Sequence, residues 1–181
     1  QMKNLKAPTP AALTALTTIA APAAQAGGTY AEHGQLGAAI RSTGITLKFN
    51  PAKCDERNAM GWYWGYGAEM VICQENHVPA HGYGTEVRWT EEDLDTLRHE
   101  AQHLIQDCMD GSRNGALSSV YKNPIGLAKS TLSEDQIGWI IKSYSEQGAS
   151  EHIIIMELEA FSVAAMNDPA DQTADIAKFC F

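Results

Sequence analysis

The apolar positions between residues 90 and 111 recur every three or four residues, which is the spacing of one face of an α-helix. Thr90 suits the N-cap of this helix, and Asp93, three residues later, completes a capping box. Gly111 suits the end of the helix. The apolar face consists of Leu94, Leu97, Ala101, Leu104, Ile105 and Cys108.

Shorter patterns predict further helices on both sides of this one. Residues 31–42 suit a helix that ends before a glycine, and residues 133–147 and 150–167 each begin with a serine suited to an N-cap. Residues 112–132 are rich in Ser, Asn, Gly and Lys and predict a long, mobile connection. The tail from 170 to 181 predicts one helical turn.

The strand patterns lie before the long helix. Residues 45–49 alternate with period two, and residues 60–64 and 69–73 are aromatic or β-branched runs on either side of a four-residue connection with two glycines. These two runs predict a β-hairpin. The order of helix, antiparallel strands and three helices predicts an α+β fold.

Composition narrows the class of protein. The chain has 181 residues, of which 44% are hydrophobic and 19% charged, and this balance predicts one globular domain, over residues 29–181. Its formal net charge of -9 argues against nucleic acid and anionic membranes as partners. No run approaches 18 apolar residues, so no transmembrane segment is predicted.

Residues 1–28 differ from the rest of the chain. A basic start around Lys3, an Ala/Thr/Leu-rich middle and an Ala24-Gln25-Ala26 end resemble a secretory signal peptide. Pro8 and Pro10 interrupt this pattern and favour an Ala/Pro-rich arm that docks on the body of the protein or on a partner. Such an arm could assemble a homo-oligomer or a virion, and both interpretations stay open.

Four cysteines leave two possibilities. No two of the four cysteines have the spacing of a CxxC motif, so a zinc knuckle or a thioredoxin-like motif is not expected. They are Cys54, Cys73, Cys108 and Cys180. They could form two disulfides, with three possible connectivities, or remain small buried apolar residues. The signal-like start favours disulfides and an extracytoplasmic, secreted or virion-associated location.

Within the long helix, residues 99–103 read His-Glu-Ala-Gln-His, an HExxH motif. Residues four apart lie on one helical face, so the imidazoles of His99 and His103 can reach one metal ion. Glu100 is rotated by about 100° from His99. In that position it can accept a proton from the water that a zinc ion activates.

This motif resembles that of the zincin metallopeptidases, and the order of sheet, HExxH helix and later helix resembles a minimal zincin domain. A metzincin would have a glycine and a histidine where this chain has Gln106 and Met109. No GTxxD sequence follows either. The resemblance therefore implies a gluzincin-like site, with a glutamate from a later helix as the third zinc ligand.

The third ligand is expected in the helix over residues 150–167. Glu157 and Glu159 lie there among apolar residues, and a carboxylate in such surroundings needs a partner. Glu159, which precedes an alanine as in several compact HExxH families, is the preferred ligand, with Glu157 as the runner-up. A thermolysin-like ExxxD pattern is absent, so a supporting carboxylate would come from Asp107 or Asp95.

The sequence gives weaker evidence of a functional role for several other residues. His77 and His81 are four apart, but Pro79 lies between them, so they are expected in a surface loop. His152 lies two turns before Glu159 and is expected at an interface. Tyr121 or Tyr144 could stabilise an oxyanion, and the sequence does not choose between them.

Two functions are compatible with these observations. The first is zinc-dependent hydrolysis of peptide bonds, with a peptide or protein as substrate and Glu100 as the catalytic base. The second is an assembly protein that keeps a zincin fold with a structural or inactive metal site. The stretch from Leu97 to Cys108 also resembles small proteins of marine cyanobacteria and their phages, which implies a virion-associated setting for the second function.

Overall fold

The elements that surround the HExxH motif are visible in the computed structural model, which describes residues 30–57 and 59–181. The predicted arm or signal-like segment, residues 1–28, lies outside the described residues. The fold is α+β, as predicted. Its elements in chain order are α1 (Tyr30–Ser42), β1 (Thr46–Phe49), α2 (Lys53–Arg57), β2 (Gly61–Trp64), β3 (Glu69–Ile72), α3 (Glu91–Cys108), α4 (Pro124–Thr131), α5 (Glu134–Glu146), α6 (Glu151–Met166) and α7 (Pro169–Phe179).

The three strands form a mixed sheet in the order β1-β3-β2. Strands β2 and β3 pair antiparallel, with Trp62 opposite Val71, which confirms the predicted hairpin. Strand β1 pairs with β3 in parallel, with Leu47 opposite Met70. The expectation of a purely antiparallel sheet is therefore wrong. The alternation of side chains along β1 is the same for either direction of pairing, so the pattern carries no information on it.

Helix α3 runs through the interior. Its predicted capping box is present: Asp93 N–H donates to Thr90 Oγ1, and Thr90 N–H donates to Asp93 Oδ2. Apart from Asp95, every residue from Asp93 to Cys108 is buried. Strand β2 approaches α3 so closely that a Cβ on Gly61 would lie 2.7 Å from Thr96 Cγ2. Glycine at this position therefore sets the distance between the sheet and the HExxH helix.

Two apolar clusters hold α3 and α6 in place. The larger one joins α1, the sheet, α3 and α7, and the smaller one joins α4, α5 and α6. Helix α6 is apolar on nearly all sides because α3, α4 and α5 all pack against it. The largest buried side chains of these clusters are Tyr144, Leu36, Ile40, Met70, Ile72, Leu97, Leu104, Ile105, Ile140 and Ile176.

Two segments are more helical than the sequence predicts. Helix α4 lies within the predicted mobile connection, where Pro124 occupies the first turn and Asn123 accepts a hydrogen bond from Gly126 N–H as N-cap. Helix α7 has 11 residues instead of one turn, and it too starts with a proline, Pro169, behind an Asp168 cap. Proline suits the first turn of a helix, so in both segments it marks a start rather than a break.

All four cysteines are paired. Cys54–Cys73 joins α2 to the residue after β3, and Cys108–Cys180 joins the end of α3 to the residue after α7. Two disulfides are consistent with an extracellular location. Within the described residues, none of the helices combines the length and the apolar character that a membrane crossing requires.

The disulfide Cys108–Cys180 is expected to stabilise the folded protein. Replacement of Cys108 and Cys180 by alanine together removes a cross-link that spans 72 residues. We expect the free energy of unfolding, measured with urea, to fall by about 2–4 kcal/mol. The matched Cys54→Ala/Cys73→Ala variant opens a loop of only 19 residues and is expected to lose less. An unchanged urea midpoint for the first variant would contradict this role.

Candidate metal centre

Helix α3 brings the two motif histidines together. His99 and His103 lie one turn apart, and their Nε2 atoms are 3.1 Å from each other. The rings are almost perpendicular, with an interplanar angle of 85° and centroids 4.8 Å apart. Two ring nitrogens thus point at a common position from one helical face, as the i, i+4 spacing predicts.

Helix α6 adds a carboxylate to the same position. Glu157 Oε2 lies 3.2 Å from His99 Nε2, and Glu157 Oε1 lies 3.4 Å from His103 Nε2. Each of the three residues is at most 4% exposed. Among the described residues, His99, His103 and Glu157 form the one group of three such side chains that could hold a metal ion.

The electrostatics of this group require a positive charge. Burial would lower the pKa of His103, but the charge of Glu157 and a hydrogen bond to it raise that pKa to about 9. Burial would likewise raise the pKa of Glu157, but His103 and then His99 lower it to about 2. Glu157 is therefore an anion at neutral pH. Either a proton on His103 or a metal ion in its place can neutralise this buried anion.

The donor set fits a metal ion. Two imidazole nitrogens and one carboxylate are common zinc ligands, and ligand atoms about 2.0–2.2 Å from a tetrahedral ion lie roughly 3.3–3.5 Å from each other. The separations of 3.1, 3.2 and 3.4 Å observed here are close to that range. The three side chains are thus arranged to hold an ion with little rearrangement.

Glu100 lies beside this group but is not part of it. It is 1% exposed, and neither carboxylate oxygen has a hydrogen-bond partner of normal geometry among the described residues. Burial raises the pKa of Glu100, while the charges of His99 and His103 and the backbone of Tyr63 oppose this rise. A buried carboxyl group with so few hydrogen-bond donors is costly, so the position of Glu100 is not explained by its hydrogen bonds alone.

Glu159, the preferred third ligand, lies elsewhere. It is fully buried, and its nitrogen donors are 3.0–3.2 Å away. The preference between Glu159 and Glu157 therefore has to be reversed. Residues two apart on a helix point about 200° from each other, so only one of the two can face the histidines. The donors to Glu159 are the side chains of Gln102, Gln106 and Ser119 and the backbone N–H groups of Val120 and Tyr121.

The expected supporting carboxylates also lie elsewhere. Asp107 accepts hydrogen bonds from Tyr63 Oη and from the loop after α3, and Asp95 pairs with Arg98 at 3.0 Å. The group that contacts a ligand histidine is instead an amide. Gln106 Oε1 lies 2.9 Å from His103 Nδ1.

Two aromatic residues complete the surroundings of the group. Phe161 packs edge-on against His99, with ring centroids 4.4 Å apart. Tyr144 is buried beside Glu157, and burial followed by the charge of Glu157 raises the pKa of this tyrosine well above its usual value. For Tyr121, burial and then the charges of Asp175 and Glu159 raise the pKa of the hydroxyl group. Tyr144 is thus the one of the two tyrosines that lies at the group.

The three other histidines considered in the sequence, His77, His81 and His152, lie away from the group. His77 and His81 are in the loop before α3, where His77 Nε2 is 3.0 Å from Gly82 O. His152 is exposed at the start of α6, and its Nε2 is 2.8 Å from Leu117 O. Neither the loop pair nor His152 reaches His99 or His103.

Comparison of the chain with known protein families, with curated proteins and with solved structures found no match. What the site can do is therefore inferred from its own side chains.

The two glutamates of α6 are expected to respond differently to substitution. Glu157→Gln removes a charged ligand and should weaken zinc binding at least about 100-fold, since even outer-shell partners contribute 10–100-fold. Glu159→Gln, two residues away, leaves the three candidate ligands in place and weakens only the support of Gln106, so it should cost less than about 100-fold in zinc affinity. It should also lower the free energy of unfolding by about 1–3 kcal/mol, because a buried hydrogen bond is lost.

Competition with a chromophoric chelator measures both affinities, and urea unfolding measures the stabilities. A greater loss of zinc affinity for Glu159→Gln than for Glu157→Gln would contradict the placement of the third ligand.

Proposed function

We propose that this protein is a zinc-dependent hydrolase that cleaves peptide bonds. His99, His103 and Glu157 would hold the ion, and Glu100 would act as the general base. The observation that carries the proposal is the convergence of three potential ligands beside Glu100, a buried carboxyl group whose surroundings offer it little beyond the backbone of Tyr63.

The choice of zinc and of catalysis rests on the number and type of donors. Structural zinc sites are usually closed by four protein ligands, whereas catalytic sites have three and keep one position open. The group here offers three, two imidazoles and one carboxylate. When bound, the ion would supply a Lewis acid that lowers the pKa of water and polarises a carbonyl group.

Glu100 would accept the proton from the attacking water and pass it to the leaving amine. A base works best when its pKa lies near the operating pH, and the burial that raises the pKa of Glu100 moves it in that direction. Tyr144 is buried beside Glu157, and its hydroxyl could donate a hydrogen bond to the developing oxyanion.

A peptide substrate is supported by the position of β2. Within the described sheet, β2 is an edge strand, since it pairs only with β3. The backbone of Tyr63 on β2 lies at the Glu100 carboxyl group. An extended peptide that added to this edge would place its carbonyl groups next to Glu100.

A second function is favoured by one observation, the burial of the site. His99, Glu100, His103 and Glu157 are all nearly inaccessible, so a substrate would have to displace the groups that cover them. A buried metal centre that only stabilises the domain needs no such opening. In that case zinc would raise the unfolding temperature, and no peptide would be hydrolysed. The assembly role of residues 1–28 stays a prediction, since these residues lie outside the described part.

Substitution of the proposed base separates the two functions. Glu100→Gln removes the proton acceptor and leaves the three ligands in place, so we expect kcat to fall about 10²–10⁴-fold while zinc affinity is retained. Hydrolysis of a library of quenched fluorescent peptides by the zinc-loaded protein measures the activity.

The matched control is Glu91→Gln, an exposed glutamate in the first turn of the same helix, which should leave kcat unchanged. A wild-type protein that binds zinc tightly but cleaves no peptide would overturn the hydrolase and support the structural centre. An active Glu100→Gln variant would overturn the role of Glu100.

A further inference from the structure

We propose that Gln106 is a positioning residue for His103: it holds the Nδ1–H of that imidazole and so leaves Nε2 as the metal-binding atom. Glu159 in turn fixes the orientation of Gln106. This inference rests on the metal-binding part of the proposed function and not on the hydrolysis. Of the three residues involved, only His103 belongs to the HExxH motif, while Gln106 and Glu159 lie outside it.

The orientation of the Gln106 amide follows from its neighbours. Its Nε2 donates to the backbone carbonyl of Met156 at 3.0 Å and to Glu159 Oε1 at 3.1 Å. A carbonyl and a carboxylate can only accept, so the NH₂ group has to face them. The amide oxygen is thereby directed at His103 Nδ1, 2.9 Å away.

The protonation of the His103 ring follows from the amide. An amide oxygen accepts hydrogen bonds and donates none, so Nδ1 has to carry the proton. When a metal ion takes the place of the second proton, the neutral imidazole keeps its one N–H at Nδ1, and Nε2 presents its lone pair to the position shared with His99 and Glu157. This is the role that outer-shell acceptors have at many metal-binding histidines.

The two histidines are therefore held in different ways. His99 Nδ1 is buried and has no hydrogen-bond partner among the described residues, and its ring rests on Phe161. His103 is held by a chain of hydrogen bonds that ends at Glu159. Loss of Gln106 should for this reason affect His103 and not His99.

Gln102 provides a matched control on the same helix. It is as deeply buried as Gln106, and its Nε2 also donates to Glu159 Oε1, at 3.0 Å. Gln102 makes no hydrogen bond to His103, however. Substitution of either glutamine by leucine removes a donor from Glu159, but only Gln106→Leu also removes the acceptor from His103.

The first test is zinc affinity, measured on the full chain by competition with a chromophoric chelator. Gln106→Leu should weaken zinc binding about 10–100-fold, whereas Gln102→Leu should stay within about 3-fold of the wild type. Similar losses for both variants would overturn the positioning role, because they would reflect only the damage around Glu159.

The second test is NMR of the protein with ¹⁵N-labelled histidine. In the zinc-loaded protein Nδ1 should be the protonated nitrogen of His103, and in both the metal-free and the zinc-loaded protein its proton should exchange with water faster in Gln106→Leu than in Gln102→Leu. An unprotonated Nδ1, or zinc bound at Nδ1, would overturn the inference.

The two proposals can fail separately. If the wild type binds no zinc, the proposed function fails, while the Nδ1 resonance still tests the hydrogen bond. If it binds zinc and Gln106→Leu behaves like Gln102→Leu, only the positioning role fails.

Discussion

The hydrogen bonds to Glu159 help to hold α6 against α3. A fully buried carboxylate needs donors, and here they come from two glutamines of α3 and from the loop after it. The two glutamines join Glu159 to α3, and the loop donors join it to the segment that follows α3. Glu157, about 200° further round the helix, is then directed at His99 and His103. The two glutamates of α6 thus have separate sets of partners, hydrogen-bond donors for Glu159 and the two histidines for Glu157.

Helix α3 contains several other buried polar side chains, and these also need hydrogen-bond partners. It is buried along most of its length and yet contains Arg98, Gln102, Gln106 and Asp107, each of which has hydrogen-bond partners in neighbouring elements. Buried polar groups are tolerated when they are paired, and these pairs connect α3 to β2, α6 and the loop of residues 112–123. Among the buried carboxyl groups of this helix, Glu100 has the fewest such partners, with only the backbone of Tyr63 beside it. The packing around Glu100 therefore leaves this carboxyl group next to the two histidines without pairing it with a cation or with several hydrogen-bond donors.

The sequence predicts the parts that depend on local chemistry. Spacing over a few residues, within one element or between two consecutive ones, predicts the caps at Thr90, Ser133 and Ser150, the β2–β3 hairpin and the pairing of His99 with His103. Other features depend on contacts between distant segments and are not predicted. These are the direction of β1, the helices α4 and α7, and the choice between the two glutamates. Both glutamates look alike in an apolar helix, and only the register of α6 against Gln102 and Gln106 separates them. Those two glutamines, four residues apart like the histidines, are the one sequence feature that could have pointed to a second buried acceptor.

The central claim is that one metal ion binds between α3 and α6, and anomalous diffraction at the zinc edge tests it most directly. Crystals of the full chain grown with zinc should give one strong anomalous peak within bonding distance of His99 Nε2, His103 Nε2 and a Glu157 oxygen, about 2.0–2.2 Å from each. A peak at Glu159, or no peak between the two helices in crystals that contain zinc elsewhere, would contradict the account.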